Sequence, residues 1–155
     1  MKRVSSLSVL IFVLVLASAH GADASQQRAV PFLKGVVSAL VANDYATAWQ
    51  SLHPVHQAVA PETEYVGCEA LTPVPGRLGS LVAIRSQRKT IAIAGLEPRA
   101  QGVVVTFRLR LVDPVGGGSA AFTLKAAAVR VADRWAWMLP RARYELYAND
   151  ACGSL

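Results

Sequence analysis

The sequence predicts an α+β domain with N-terminal helices packed on a curved antiparallel sheet of about four strands. Three observations carry this. Apolar residues recur three and four apart through the first half, a cluster of Pro and Gly interrupts the chain near residue 75, and apolar residues then alternate with period two. Helices followed by a run of strands is the order of an α+β layer structure, with the helices on one face of the sheet.

The chain opens on a segment of another kind. Lys2 and Arg3 precede LSVLIFVLVLA, and small residues follow with two A-x-A patterns, Ala17-Ser18-Ala19 and Ala22-Asp23-Ala24. Charge, apolar run and small-residue site in that order make a secretory signal peptide over residues 1–24. A spanning helix needs about 20 apolar residues, and this run has roughly half of that. Removing 24 of the 155 residues leaves 131, residues 25–155, which is the length of one domain with one core. The expected location is secreted or periplasmic. With 16 Lys and Arg against 10 Asp and Glu the chain is basic, so anionic envelope components are its natural partners. Nucleic acid is not expected there.

Each element follows from local pattern. Val30, Leu33, Val36, Val37, Leu40 and Val41 form one buried stripe of a first helix, which ends near Ala42. Asp44 is a good N-cap for a second helix from Tyr45 to Leu52. Pro54 keeps His53 out of the helical region and opens another turn. Pro61, Glu62 and Glu64 suit the first turn of a further helix, whose dipole favours acids there. Past TPVPGRLGS, residues 80–95 hold one long strand or two short ones. Val103, Val105, Phe107, Leu109 and Leu111 then alternate with Val104, Thr106, Arg108 and Arg110. AAFTLKAAAVRV and WAWML, joined by the tight connection ADR, complete a four-stranded meander.

Two stretches carry a family resemblance. Asp44, Tyr45, Ala48, Trp49, Leu52 and Pro54 match a "D-Y-x-x-A-W-x-x-L-x-P" helix, and Val131 through Trp137 resembles a "V-x-D-G-x-W" hairpin, with Arg134 where glycine is common. The chain thereby resembles the secreted bacterial branch of the nuclear-transport-factor-like, or cystatin-like, α+β cone, a branch of uncharacterised function. The resemblance implies a sheet curled round the long helix, with room for a ligand inside and a sheet face able to pair two copies. Its enzymatic relatives, ketosteroid isomerases and polyketide cyclases, place a carboxylate or a His-Asp pair inside that cone. A shared fold does not assign an activity.

Cys68 and Cys152 are the only cysteines, and an oxidising compartment favours joining them. The bridge would close a loop of about 85 residues and remove roughly 4 to 5 kcal/mol of unfolded-chain freedom. No C-x-x-C spacing supports zinc, and neither a metal nor a cofactor is expected.

Candidate chemistry is sparse. No strand supplies an inward acid: Asp113 and Asp133 belong to turns, Asp44 to a cap, Glu97 to a loop and Asp150 to the tail. His53, His56, Glu62 and Tyr65 form the one acid/base neighbourhood to test. His53 is expected at a helix end, favoured as a cation by the C-terminal dipole, and His56 on a partly exposed surface. Trp135 and Trp137 share a sheet face, where they pack the core or line a ligand wall. Arg108 and Arg110 share the opposite face, which with Arg85, Arg88 and Lys89 makes a solvated outer surface or a polyanion-binding one. Arg141 and Arg143 lead away from the last strand. The expected function is a non-catalytic binding module or envelope-associated accessory for a small ligand or envelope component. A pocket enzyme of the isomerase, cyclase or hydrolase kind and a basic-face binder of anionic polymers or lipids are the alternatives.

Overall fold

The computed structural model describes residues 17–152, with side chains from residue 26 onward except at 98. The apolar leader run at residues 1–16 lies outside the described residues. From Ala17 the chain is helical, and both A-x-A sites fall on this helix. No helix among the described residues is long and apolar enough to cross a membrane.

Four helices precede the sheet. α1 (Ala17–Val41) is followed by α2 (Tyr45–Gln50), α3 (Pro54–Val59) and α4 (Glu62–Ala70). The stripe read from spacing is the buried face of α1, with Leu33 fully buried and Val36, Val37 and Val41 nearly so. Asn43 stops that helix in a left-handed conformation, φ 58°, a position where glycine or asparagine is favoured. Its side chain then works as a local hub. Oδ1 accepts from Tyr45 Oη at 2.6 Å and from the Val74 amide at 2.8 Å, tying the helix turn to the loop before the sheet. Asp44 caps α2 by accepting from the Thr47 amide at 3.2 Å, as its residue type requires.

The sheet is a four-stranded antiparallel meander in the order β1 (Arg77–Ile93), β2 (Leu96–Val112), β3 (Ser119–Val131) and β4 (Arg134–Trp137). β1 is one long strand rather than two. Three register shifts, at Leu78/Ser80, Ala83/Arg85 and Ile91/Ile93, let it bend along its partner. β2 begins at Leu96, so Glu97, expected in a loop, lies on the strand beside the hairpin tip. Val103, Val105, Phe107 and Leu109 face α1 and are buried as the alternation requires. β4 extends to the helical layer. The Trp137 amide donates to Ser51 O and its carbonyl accepts from the His53 amide, both at 2.9 Å.

A fifth helix, α5 (Arg141–Ala148), closes the chain. It was not expected, since RARYELYA has no apolar stripe; Pro140 at its N-cap is the one local signal for it. The main core draws on every helix and the inner sheet face, while Ile93, Val129 and Met138 form a smaller cluster on the outer face.

Candidate functional site

Three places gather polar or titratable side chains, and helix α5 borders all of them. The first is the junction around His56. Pro54 begins α3, and one turn on, His56 points inward and is fully buried. Its Nε2 lies 3.1 Å from Ala94 O at the β1–β2 hairpin tip, and its Nδ1 accepts from the Leu139 amide at 3.0 Å. An amide can only donate, so Nδ1 is unprotonated and Nε2 carries the hydrogen that goes to Ala94. Burial lowers the pKa of His56, against a smaller opposing effect of the Ala94 carbonyl. The expectation of a partly exposed His56 is therefore corrected: a neutral imidazole is the fastener of α3, the hairpin tip and the segment before α5.

His53 also departs from expectation. It is the N-cap of α3, extended at φ −60° and ψ 137°, and its Nδ1 accepts from the Val55 amide at 3.3 Å. A helix start repels a cation, and burial lowers this pKa as well. Pro54 is the reason, because its fixed φ starts α3 directly after His53, which therefore stands at a helix start and not at a helix end. The two rings stand 6.0 Å apart, edge to face. Glu62 is exposed at the start of α4, and Tyr65 is buried against Tyr147, ring centroids 5.8 Å apart. Among the described residues no hydrogen bond or ring contact joins Glu62 or Tyr65 to either imidazole.

The second place holds a residue that sequence reasoning passed over. Glu69, on α4, is buried, and its Oε2 accepts from Arg143 Nη2 at 2.6 Å while its Oε1 accepts from Tyr147 Oη at 2.7 Å. The interior thus does contain an acid, supplied by a helix and not by a strand. Burial raises the pKa of Tyr147, and its bond to Glu69 raises it further. Tyr65 is raised by burial and then by the Glu69 charge. Burial pulls the Arg143 pKa down, but the bond to Glu69 and its charge more than offset that. Cys68, next to Glu69, is bonded to Cys152, so covalent and ionic links together fasten α5 and the tail to α4. Arg143, expected to lead away from the sheet, is folded back into this cluster.

The third place is a cleft of about 630 Å³ between the hairpin tip and α5. Ile91, Ile93, Leu96, Ala127 and Met138, all of the outer apolar cluster, form its floor, and nearly half of its lining is polar. Its rim carries Glu97, Lys125 and Tyr144, with Arg141 bonded to Glu145 at 2.6 Å. Tyr144 packs against His56 with its ring tilted by 47°, centroids 5.1 Å apart, and its hydroxyl passes over Gly95 so closely that a Cβ there would clash with it. Gly95 has φ 74°, so both its conformation and this approach require glycine.

The remaining candidates lie apart from these places. Trp137 is buried on the inner face and donates from Nε1 to Ala48 O at 2.8 Å. Trp135 is half-buried beside it, with the Arg130 guanidinium 5.8 Å from its ring centroid. Arg108 and Arg110 are exposed on the outer face. Among the described residues no three His, Cys, Asp or Glu side chains converge as a metal site would need. No family model and no curated protein sequence matches the chain.

Proposed function

We propose that the protein is an exported, non-catalytic binding module that takes a small amphipathic ligand in the cleft between the β1–β2 hairpin tip and α5. One observation carries this reading. The buried His56 and Glu69 are held by partners inside the fold, whereas the titratable side chains at the cleft, Glu97, Lys125 and Glu145, stand exposed around its apolar floor without the burial that tunes acid/base groups. General acid/base work needs a titratable group that reaches its substrate. The His56 nitrogens are both occupied by main-chain groups, and Glu69 is held by Arg143 and Tyr147. A concave apolar surface with a few polar groups at its edge is the usual form of a small-ligand site.

The signal-type leader and the Cys68–Cys152 bridge support export into an oxidising compartment. The order of helices then meander, with α1 along the inner sheet face, supports membership of the nuclear-transport-factor-like class. An apolar fluorescent probe, anilinonaphthalene sulfonate, tests the cleft. Its emission should rise on binding, and Ala127→Phe, which fills the floor, should abolish the rise while circular dichroism is unchanged. Equal emission from both proteins would remove the cleft. A thermal-shift screen of carbonyl and ester compounds tests the other clause, because chemical conversion of any stabilising compound would overturn a non-catalytic role.

A further inference from the structure

We infer that the outer face of strands β1 to β3 is a docking surface for an anionic phospholipid membrane. This goes beyond the cleft reading: the cleft takes the hairpin-tip end of this face, the charged patch lies further along it, and of the four cations Lys125 alone borders both.

Antiparallel pairing fixes the arrangement. Thr106 on the central strand lies between Arg85 and Lys125, and Arg108 and Arg110 follow on the same face of that strand. Strands are about 4.8 Å apart and residues of one face about 6.8 Å apart along a strand, so four cations occupy a patch of about 10 by 14 Å. All four are exposed. The one acid within these three strands is Glu97, at the far hairpin tip. Asp113, just past the end of β2, turns its Oδ1 to the Val115 amide at 2.8 Å. Arg110 donates to the neutral Ser119 hydroxyl at 3.0 Å and keeps its charge uncompensated there. A single-sign surface of this size complements an anionic plane, and its cations fall within about one Debye length of an apposed headgroup layer.

Aliphatic exposure selects a membrane over a soluble polymer. Val82 sits directly beside Arg108 and is 54% exposed, and Ile84, in the bulge before Arg85, is 47% exposed. Strands normally bury such side chains. Cations mixed with exposed aliphatics are what a headgroup and acyl boundary accommodates, whereas a hydrated polyanion has no use for the aliphatics.

Vesicle sedimentation decides the matter, using the chain recovered after export with its disulfide formed. The protein should pellet with vesicles of equal phosphatidylglycerol and phosphatidylcholine, remain in solution with phosphatidylcholine alone, and be released as salt rises. Each cation near such a surface is worth about fivefold in partitioning, so Arg108→Glu with Arg110→Glu should weaken it by at least about 25-fold. A second variant, Val82→Ser with Ile84→Ser, should lower vesicle binding severalfold and leave retention on dextran sulfate unchanged. Should the arginine pair fail to fold, judged by circular dichroism, Arg85→Gln with Lys125→Gln carries the same test. Failure of the unaltered protein to bind anionic vesicles, or undiminished binding by the arginine variant, overturns the proposal. So does full vesicle binding by the aliphatic variant, which would assign the face to a soluble polyanion. Probe binding in the cleft is measured separately, so the two readings can fail independently.

Discussion

The imidazole of His56 and the amide of Leu139 meet at 3.0 Å, and this one bond fixes the protonation state of a fully buried side chain. Its other nitrogen is taken by Ala94 O. Three segments far apart in sequence converge on one ring, and a proton on Nδ1 would cost the Leu139 bond.

Acid sensitivity follows. The folded pKa of His56 is lowered by burial from the ordinary 6.5, and that of His53 likewise. Below 6.5 the unfolded chain takes up protons that the folded chain refuses. Stability is therefore complete above that value and declines as pH falls through it toward the lower folded values. Denaturant midpoints measured across this range should drop on the acid side. In His56→Leu the drop should be smaller, on a baseline lowered by about 2 to 4 kcal/mol, because Ala94 O and the Leu139 amide lose their partners. An unchanged acid slope would assign the sensitivity to His53.

The Glu69–Arg143 pair predicts a different pattern. Glu69→Leu leaves a guanidinium partly buried without its carboxylate and Tyr147 without its acceptor, and a loss of about 3 to 5 kcal/mol is expected. Replacing both partners, Glu69→Leu with Arg143→Met, should recover a large part of it, since no charge is then stranded. Thermal unfolding of the two singles and the double measures the coupling directly.

What could be read in advance divides by range. Local rules located α1 through α4 and the four-stranded meander, because caps, prolines and period depend on near neighbours; Asp44 and Pro54 act within four residues of themselves. His56 and Glu69 depend on partners elsewhere. The groups that hold His56 are main-chain atoms at Ala94 and Leu139, which leave no mark in the sequence, and Glu69 meets Arg143 across a separation of 74 residues. α5 has neither stripe nor side-chain cap, and it is held mainly by those distant links. The cysteines were legible over an equally long span, because only two were present to pair.

The disulfide sets the third prediction. With a sequence separation of 84, the closed loop should contribute about 4 to 5 kcal/mol in the chain-entropy account. Cys68→Ser with Cys152→Ser should lower the unfolding midpoint accordingly, and a reductant should do the same to the unaltered chain but not to the variant. Hydrogen exchange should show the loss first in α5, whose other ties are Glu69 and the segment held by His56.

Gly95 gives the last prediction, which ties backbone conformation to the cleft. Alanine there meets two penalties: a left-handed φ of 74°, worth about 1 kcal/mol or more, and a clash of the new Cβ with the Tyr144 hydroxyl. Displacing the ring disturbs its tilted packing on His56, itself held at both nitrogens. Gly95→Ala should therefore destabilise the protein by more than the conformational term and change probe emission from the cleft that Gly95 and Tyr144 both line. Adding Tyr144→Ala separates the causes. In that background the steric part of the Gly95→Ala cost should vanish and the conformational part should remain. Equal costs in both backgrounds, measured by denaturant unfolding, would show that the contact with Tyr144 does not constrain the hairpin tip.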